Sequence, residues 1–90
     1  MDTLKVGTAW IDIEVISEVD VVMTFKGYAP VLPVRVVQSG LVKQLYISSR
    51  SISVPLDRFR EANGNRFQGL KLRLRKDGEE ATSKYIVEAL

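Results

Sequence analysis

Residues 70–75, Leu-Lys-Leu-Arg-Leu-Arg, alternate leucine with a cation three times. A helix would scatter the three leucines around its circumference, whereas a strand turns them all to one side. Lys71, Arg73 and Arg75 then form an outward column, with neighbours about 6.6 Å apart. Two interpretations follow. The column binds a polyanion, or it is the solvated side of a strand whose neighbours carry balancing acids.

Composition limits the chemistry of the chain. Ninety residues, 46% hydrophobic and 27% charged, predict one globular domain over residues 1–90. The sequence has no histidine and no cysteine, so the commonest general base and thiolate metal ligands are absent. We therefore expect no catalysis, no metal and no cofactor. Without cysteines, a signal-peptide pattern or an apolar run of about 18 residues, we expect a cytoplasmic location and no membrane partner.

Charge is distributed unevenly along the chain. Residues 1–34 carry two cations and five anions, residues 35–76 carry ten cations and two anions, and residues 77–90 carry one cation and four anions. The three segments have net charges of −3, +8 and −3, which sum to +2. A basic middle suggests an anionic partner. The alternative is that the acidic ends fold back onto it.

Period-two patterns predict further strands before the helix. Ile11, Ile13 and Val15 alternate with acids, and the apolar parity flips near Gly7, which predicts a long, bent first strand. A second strand is predicted over 21–26, with Val21, Met23 and Phe25 pointing inward. Pro30 and Pro33 predict a loop or an edge, and a third strand system follows over 34–37 and 42–47.

One short helix is predicted over 53–64. Ser53 would cap it, Pro55 suits a first turn, and Asn63-Gly64 supplies the stop. Two last strands are predicted over 70–75 and 85–87.

The order β-β-β-α-β-β, with a bent first strand, resembles an OB-fold, an all-β, five-stranded, partly open barrel with one helix between strands 3 and 4. The resemblance implies that strand 4 pairs with strand 1 and that strand 3 presents oligonucleotides. Asp12 and Glu14 would then lie opposite the cation column, and cross-strand ion pairs would neutralise two of its three cations.

Aromatic side chains with polar parity are candidates for base stacking. Trp10 shares a face with Asp12 and Glu14, Tyr46 lies near several cations in sequence, and Tyr28 lies in the predicted loop, whereas Phe25, Phe59 and Phe67 read as core. The complete set of candidate nucleic-acid-binding residues is Trp10, Tyr28, Arg35, Lys43, Tyr46, Arg50, Lys71, Arg73, Arg75 and Lys76.

The sequence therefore predicts binding of single-stranded nucleic acid, DNA rather than RNA, without catalysis. About four neutralised phosphates would give a slope of log affinity against log salt near −3. The alternative is a protein-interaction module whose partner is another protein or a second copy of the chain. An edge at Pro33, followed by the poorly protected Val34-Arg35-Val36-Val37, favours that alternative.

Overall fold

The computed structural model describes residues 2–90. Its element order confirms the all-β class, with six strands and one helix instead of five strands and one helix. All the strands belong to one antiparallel sheet that does not close into a barrel. The elements are β1 (Ile11–Val15), β2 (Asp20–Thr24), β3 (Gly27–Val36), β4 (Val42–Tyr46), α1 (Arg50–Ala62), β5 (Lys71–Lys76) and β6 (Tyr85–Ala89).

The sheet is organised around the long strand β3. The order is β2-β3-β1-β5-β6, and β4 pairs with the other side of β3. Strands β1 and β2 follow each other along one side of β3, because Val15 lies opposite Val34 and Asp20 lies opposite Val31. Ile16 N–H donates to the Pro33 carbonyl at 3.0 Å, and residues 17–19 bulge between the two strands. Beyond this bulge, β2 and the first half of β3 form a hairpin.

The inner face of the sheet carries the core, as the alternation predicts. Ile13, Val15, Leu72 and Leu74 are buried there together with Leu32 and Val34. Helix α1 covers this face with two fully buried side chains, Ile52 and Leu56. Burying each such side chain contributes roughly 1.5–3 kcal/mol, so this contact between helix and sheet fixes which face stays open to solvent.

The helix begins earlier than predicted and stops where predicted. Ser49, not Ser53, is the N-cap residue, and its side chain makes no capping hydrogen bond. Ile52 explains the extension, because burying it one turn before Leu56 requires that the turn be helical. Pro55 is therefore inside the helix and not in its first turn. At the other end, the helix stops before Asn63 and Gly64, and Gly64 has a φ of 66°.

Residues 27–33, predicted as a loop or an edge, belong to β3, which has strands on both sides. Pro30 fits because it lies opposite Val21 on one side of β3. On the other side, its carbonyl accepts a hydrogen bond from Ile47 N–H at 3.2 Å. Pro33 fits because its missing N–H falls beside the bulge at residues 17–19. Segment 34–37 is accordingly no edge, and β2 and β6 are the end strands of the sheet order.

The first strand is shorter than the alternation predicts. β1 covers only Ile11–Val15, and the preceding segment leaves the strand. Thr3 forms a parallel bridge with Gln44 of β4, and Leu4 N–H donates to the Gln44 carbonyl at 2.8 Å. The chain then crosses to β5, where the Gly7 carbonyl accepts from Lys76 N–H at 2.7 Å. The predicted change of direction around Gly7 is thus a crossing between two strands.

Candidate nucleic-acid interface

The cation column lies on the face of the sheet opposite the helix. Cross-strand partners share a face, and Asp12 lies opposite Arg73 while Glu14 lies opposite both Lys71 and Arg35. The pairing of β5 with β1 is the one that the OB-fold resemblance implies. We call this side the outer face. On the paired strands, its charged residues are Asp12, Glu14, Asp20, Arg35, Lys71, Arg73, Arg75 and Glu88.

Carboxylates neutralise part of this face. Arg35 pairs with Glu14 at 3.2 Å, and Arg73 donates to Glu88 through Nε at 2.9 Å and through Nη2. Asp12 forms no ion pair with Arg73, although the two lie in register. These two ion pairs join the basic middle of the chain to its acidic ends, as the second interpretation of the charge distribution expects. Within residues 2–90, Lys71 and Arg75 form no ion pair.

Trp10 packs against the column just before β1. The guanidinium carbons of Arg73 and Arg75 lie 4.4 and 5.0 Å from the centre of the indole ring. Cation–π contacts at exposed sites contribute about 0.5–1 kcal/mol each. Trp10 stays 40% exposed, and a pocket of about 450 Å³ adjoins it, lined also by Asp12, Val37 and Gln38. We call Trp10, Arg73 and Arg75 the Trp10 cluster.

Other predicted site residues lie in different places. Tyr46 shares the outer face, half-buried opposite Val31. Lys43 has the inner parity, opposite Val34, and lines a separate cavity, while Arg50 is the first residue of the helix. Lys76 also has the inner parity, with its ammonium 5.4 Å from the centre of the Tyr85 ring. The structure thus brings Trp10, Arg35, Tyr46, Lys71, Arg73 and Arg75 to one face and separates Lys43, Arg50 and Lys76 from it.

The interior placement of the second strand's apolar residues is wrong. Val21, Met23 and Phe25 are 59%, 65% and 95% exposed, and Tyr28, opposite Met23, is 73% exposed. Val21 and Met23 do have the parity of the core, since their partners Pro30 and Tyr28 alternate in phase with Leu32. However, the hairpin extends past the helix, so no layer covers them. We call Val21, Met23, Phe25 and Tyr28 the hairpin face.

A groove beside this hairpin joins two of the predicted stacking residues. Tyr28 and Tyr46 both line a space of about 550 Å³, together with Met23, Phe25 and Ser48. These residues are far apart in sequence. They come together because β3 pairs with β2 along its first half and with β4 along its second half. The groove is apolar and aromatic, and Lys26 is its one cationic lining residue.

Glu18 is a structural carboxylate that the sequence did not single out. It lies in the bulge and accepts from the backbone N–H groups of Phe67 and Gln68 at 3.0 and 2.8 Å. These two hydrogen bonds to the carboxylate lower the pKa of Glu18 below its ordinary value of 4.5. The contact ties the bulge to the segment between α1 and β5. No local sequence pattern indicated it, because its two partners lie 49 and 50 positions away along the chain.

In the part of the chain that the structure describes, no group of three acidic, histidine or cysteine side chains is arranged to hold a metal ion. No helix of residues 2–90 has both the length and the apolar run that crossing a membrane requires. Comparison of the chain with protein-family models, with curated proteins and with solved structures found no match.

Proposed function

We propose that this domain binds single-stranded nucleic acid on its outer face, without catalysis, in the cytoplasm. The observation that carries the proposal is the Trp10 cluster, where a 40% exposed indole lies within 5.0 Å of two guanidinium groups. A nucleotide offers a base to stack on such a ring and a phosphate for such cations. The pocket next to Trp10 gives a base room to enter. Single-stranded DNA is the expected ligand.

We also propose that the domain is related in fold to the OB-folds. Support comes from two features that the resemblance implies, the short helix directly before β5 and the antiparallel pairing of β5 with β1. Six strands in an open sheet depart from the five-stranded barrel. The proposed binding surface therefore rests on the Trp10 cluster and not on the position of a strand in a barrel.

Charge on the outer face sets how strongly binding depends on salt. Four cations and four carboxylates occupy it, and two of the cations are in ion pairs. Lys71 and Arg75 are the two cations of this face, within residues 2–90, that form none. Two neutralised phosphates predict a slope of log affinity against log salt near −1.4, about half the value expected from four.

The experiment is a fluorescence-anisotropy titration of a labelled single strand, with a matched duplex, at several salt concentrations. We expect the single strand to bind more tightly than the duplex, with a slope near −1.4. The double variant Lys71→Ser/Arg75→Ser should bring the slope close to zero. Arg58→Ser, which removes an exposed cation from the helix, is the matched control and should leave the slope unchanged. Equal slopes for the double variant and the wild type would rule out the outer face.

A second function is favoured by a different observation. The hairpin face exposes four large apolar side chains on one short hairpin, and contiguous exposed apolar patches mark sites of interaction with proteins. This surface lies on β2 and β3, whereas the Trp10 cluster lies against β5. A role as a protein-interaction module is therefore compatible with nucleic-acid binding by the same domain.

A further inference from the structure

Strand β2 has one side without a backbone partner. It is an end strand of the sheet order, and β3 pairs with its other side. Thr24 and Gly27 close a two-residue turn as a hydrogen-bonded pair, so hydrogen-bonded and non-hydrogen-bonded pairs alternate from there. Val21, opposite Pro30, and Met23, opposite Tyr28, fall at non-hydrogen-bonded pairs. Their N–H and C=O groups therefore point away from β3, toward the unpaired side.

Natural sheets protect such edges with lysine, proline or a bulge inside the strand. Strand β2, Asp-Val-Val-Met-Thr, contains none of these. Its only protection is at one end, where the Asp20 carboxylate accepts from Val21 N–H at 2.8 Å. The edge is thus available for pairing with another strand.

The side chains around β2 are symmetric about Val22. Val21 and Met23 lie one residue to each side, and Val19 and Phe25 lie three residues to each side. All four are exposed and apolar, with exposed fractions between 39% and 95%. Four residues to each side, the charges are opposite, Glu18 and Lys26. Such a segment is complementary to an antiparallel copy of itself.

We propose that two copies of this chain pair through β2, antiparallel, about a two-fold axis that passes beside Val22. In this register Val21 lies opposite Met23 of the second copy, and Val19 lies opposite Phe25. Lys26 at the tip of each hairpin comes next to Asp20 of the other copy, whereas the Glu18 carboxylate keeps its hydrogen bonds to the Phe67 and Gln68 N–H groups. An isologous interface of this kind closes after two copies and leaves no further β2 edge to pair.

The backbone chemistry agrees with this register. On both copies the backbone N–H and C=O groups of Val21 and Met23 point toward the other copy. Val21 opposite Met23 therefore forms a hydrogen-bonded pair, and the two-fold axis generates a second pair of the same kind. Val21 N–H must then leave the Asp20 carboxylate, which becomes available to Lys26 of the second copy. The Trp10 cluster lies against β5, on the other side of β1 from β3, so the proposed dimer does not cover it.

Sedimentation or light scattering over a range from roughly 1 µM to 1 mM tests the association. We expect the mass to rise from 10.1 kDa toward about twice that value. Met23→Lys places two ammonium groups in the dimer and should weaken it about 100-fold, whereas Leu41→Lys, at a 57% exposed leucine away from the hairpin, should not. A monomer at every concentration, or a dimer that Met23→Lys leaves unchanged, would overturn the proposal.

A disulfide tests the register, since the natural chain has no cysteine. The two Val22 residues form a non-hydrogen-bonded pair on the axis, with Cα atoms about 4.5 Å apart, a distance that a disulfide spans. The two Met23 residues lie diagonally, at about 8 Å, too far to bridge. Val22→Cys should therefore form a covalent dimer on mild oxidation, and Met23→Cys should not. Faster cross-linking of Met23→Cys would contradict the register.

Discussion

Strands β5 and β2 lie in the same sheet, and each has apolar side chains at every second position. These side chains are buried on β5 and exposed on β2. Leu72 and Leu74 of β5 are 1% exposed under the helix. Val21 and Met23 of β2 have the same inner parity but extend past the helix and are more than half exposed. The period of a pattern tells which side chains share a face. Whether that face is buried depends on the layer above it.

The polar sides of the two strands differ as well. On β5, each cation of the Trp10 cluster touches an indole, and Arg73 also touches a carboxylate. On β2, the Asp20 carboxylate accepts one hydrogen bond, from the backbone N–H of Val21. We infer that β5 belongs to a surface arranged for a charged ligand and β2 to a surface arranged for another strand.

The largest expected difference between the two strands is in stability. Leu74→Ala should lower the free energy of unfolding by about 2–5 kcal/mol, because it leaves a cavity beneath the helix. Met23→Ala should change it by no more than about 0.5 kcal/mol at low protein concentration, because the side chain is 65% exposed. Urea denaturation measures both values. Equal losses would mean that the hairpin face is covered in solution.

Two of the exposed aromatic residues, Trp10 and Phe25, should differ in binding. Trp10→Ala should weaken binding of a single strand by about 1–3 kcal/mol, or about 5- to 150-fold, because it removes the stacking ring. Phe25→Ala, on the hairpin face, should leave that affinity unchanged. Anisotropy titrations at one salt concentration measure both variants. A loss with Phe25→Ala as large as that with Trp10→Ala would move the binding surface to the groove beside the hairpin.

Removing the carboxylate beside Arg73 should strengthen binding. Glu88→Gln frees this guanidinium for phosphate, so the salt slope should steepen by about 0.7. Stability should fall by no more than about 1 kcal/mol, because both partners of the ion pair are more than 40% exposed. Glu61→Gln, an exposed helix acid, is the control. An unchanged affinity and slope would show that Arg73 serves only the fold.

The smallest expected effect is a pH dependence at the bulge that separates β1 from β2. The folded-state pKa of Glu18 is lowered, so its carboxylate stabilises the fold above the ordinary pKa of 4.5, and this contribution disappears as the pH falls through the lowered value. Glu18→Gln should therefore reduce the Tm at pH 7, and the difference should vanish in acid. Thermal unfolding followed by circular dichroism measures it. A Tm difference that persists at pH 2 would contradict this account.

Much of the fold follows from local patterns in the sequence. The alternation in residues 70–75 predicted β5 and its inward leucines, and Asn63-Gly64 predicted the end of the helix. The parity of Trp10 with Asp12 and Glu14 predicted a shared face. In each case the physical cause lies within a few residues, where period and backbone preference act.

What the sequence did not reveal depends on distant residues. Pro30 and Pro33 argued against a strand, but both carbonyls accept backbone hydrogen bonds, from Ile47 N–H and Ile16 N–H, and only the strand pairing shows this. Arg73 has two acidic cross-strand neighbours, Asp12 of β1 and Glu88 of β6, and it forms its ion pair with Glu88. The sequence does not show which of the two neighbours the guanidinium contacts. Phe25 is exposed because β2 ends at Thr24 and Phe25 lies in the turn at the tip of the hairpin.

The most direct test of the central claim uses Trp10, the one tryptophan of the chain, as a reporter inside the proposed site. Its fluorescence would be followed while an unlabelled single strand is added at low salt, beside a matched duplex. We expect a saturable change with the single strand that weakens with salt and is lost in Lys71→Ser/Arg75→Ser. No change in Trp10 emission at low salt, where charge attraction is strongest, would contradict it.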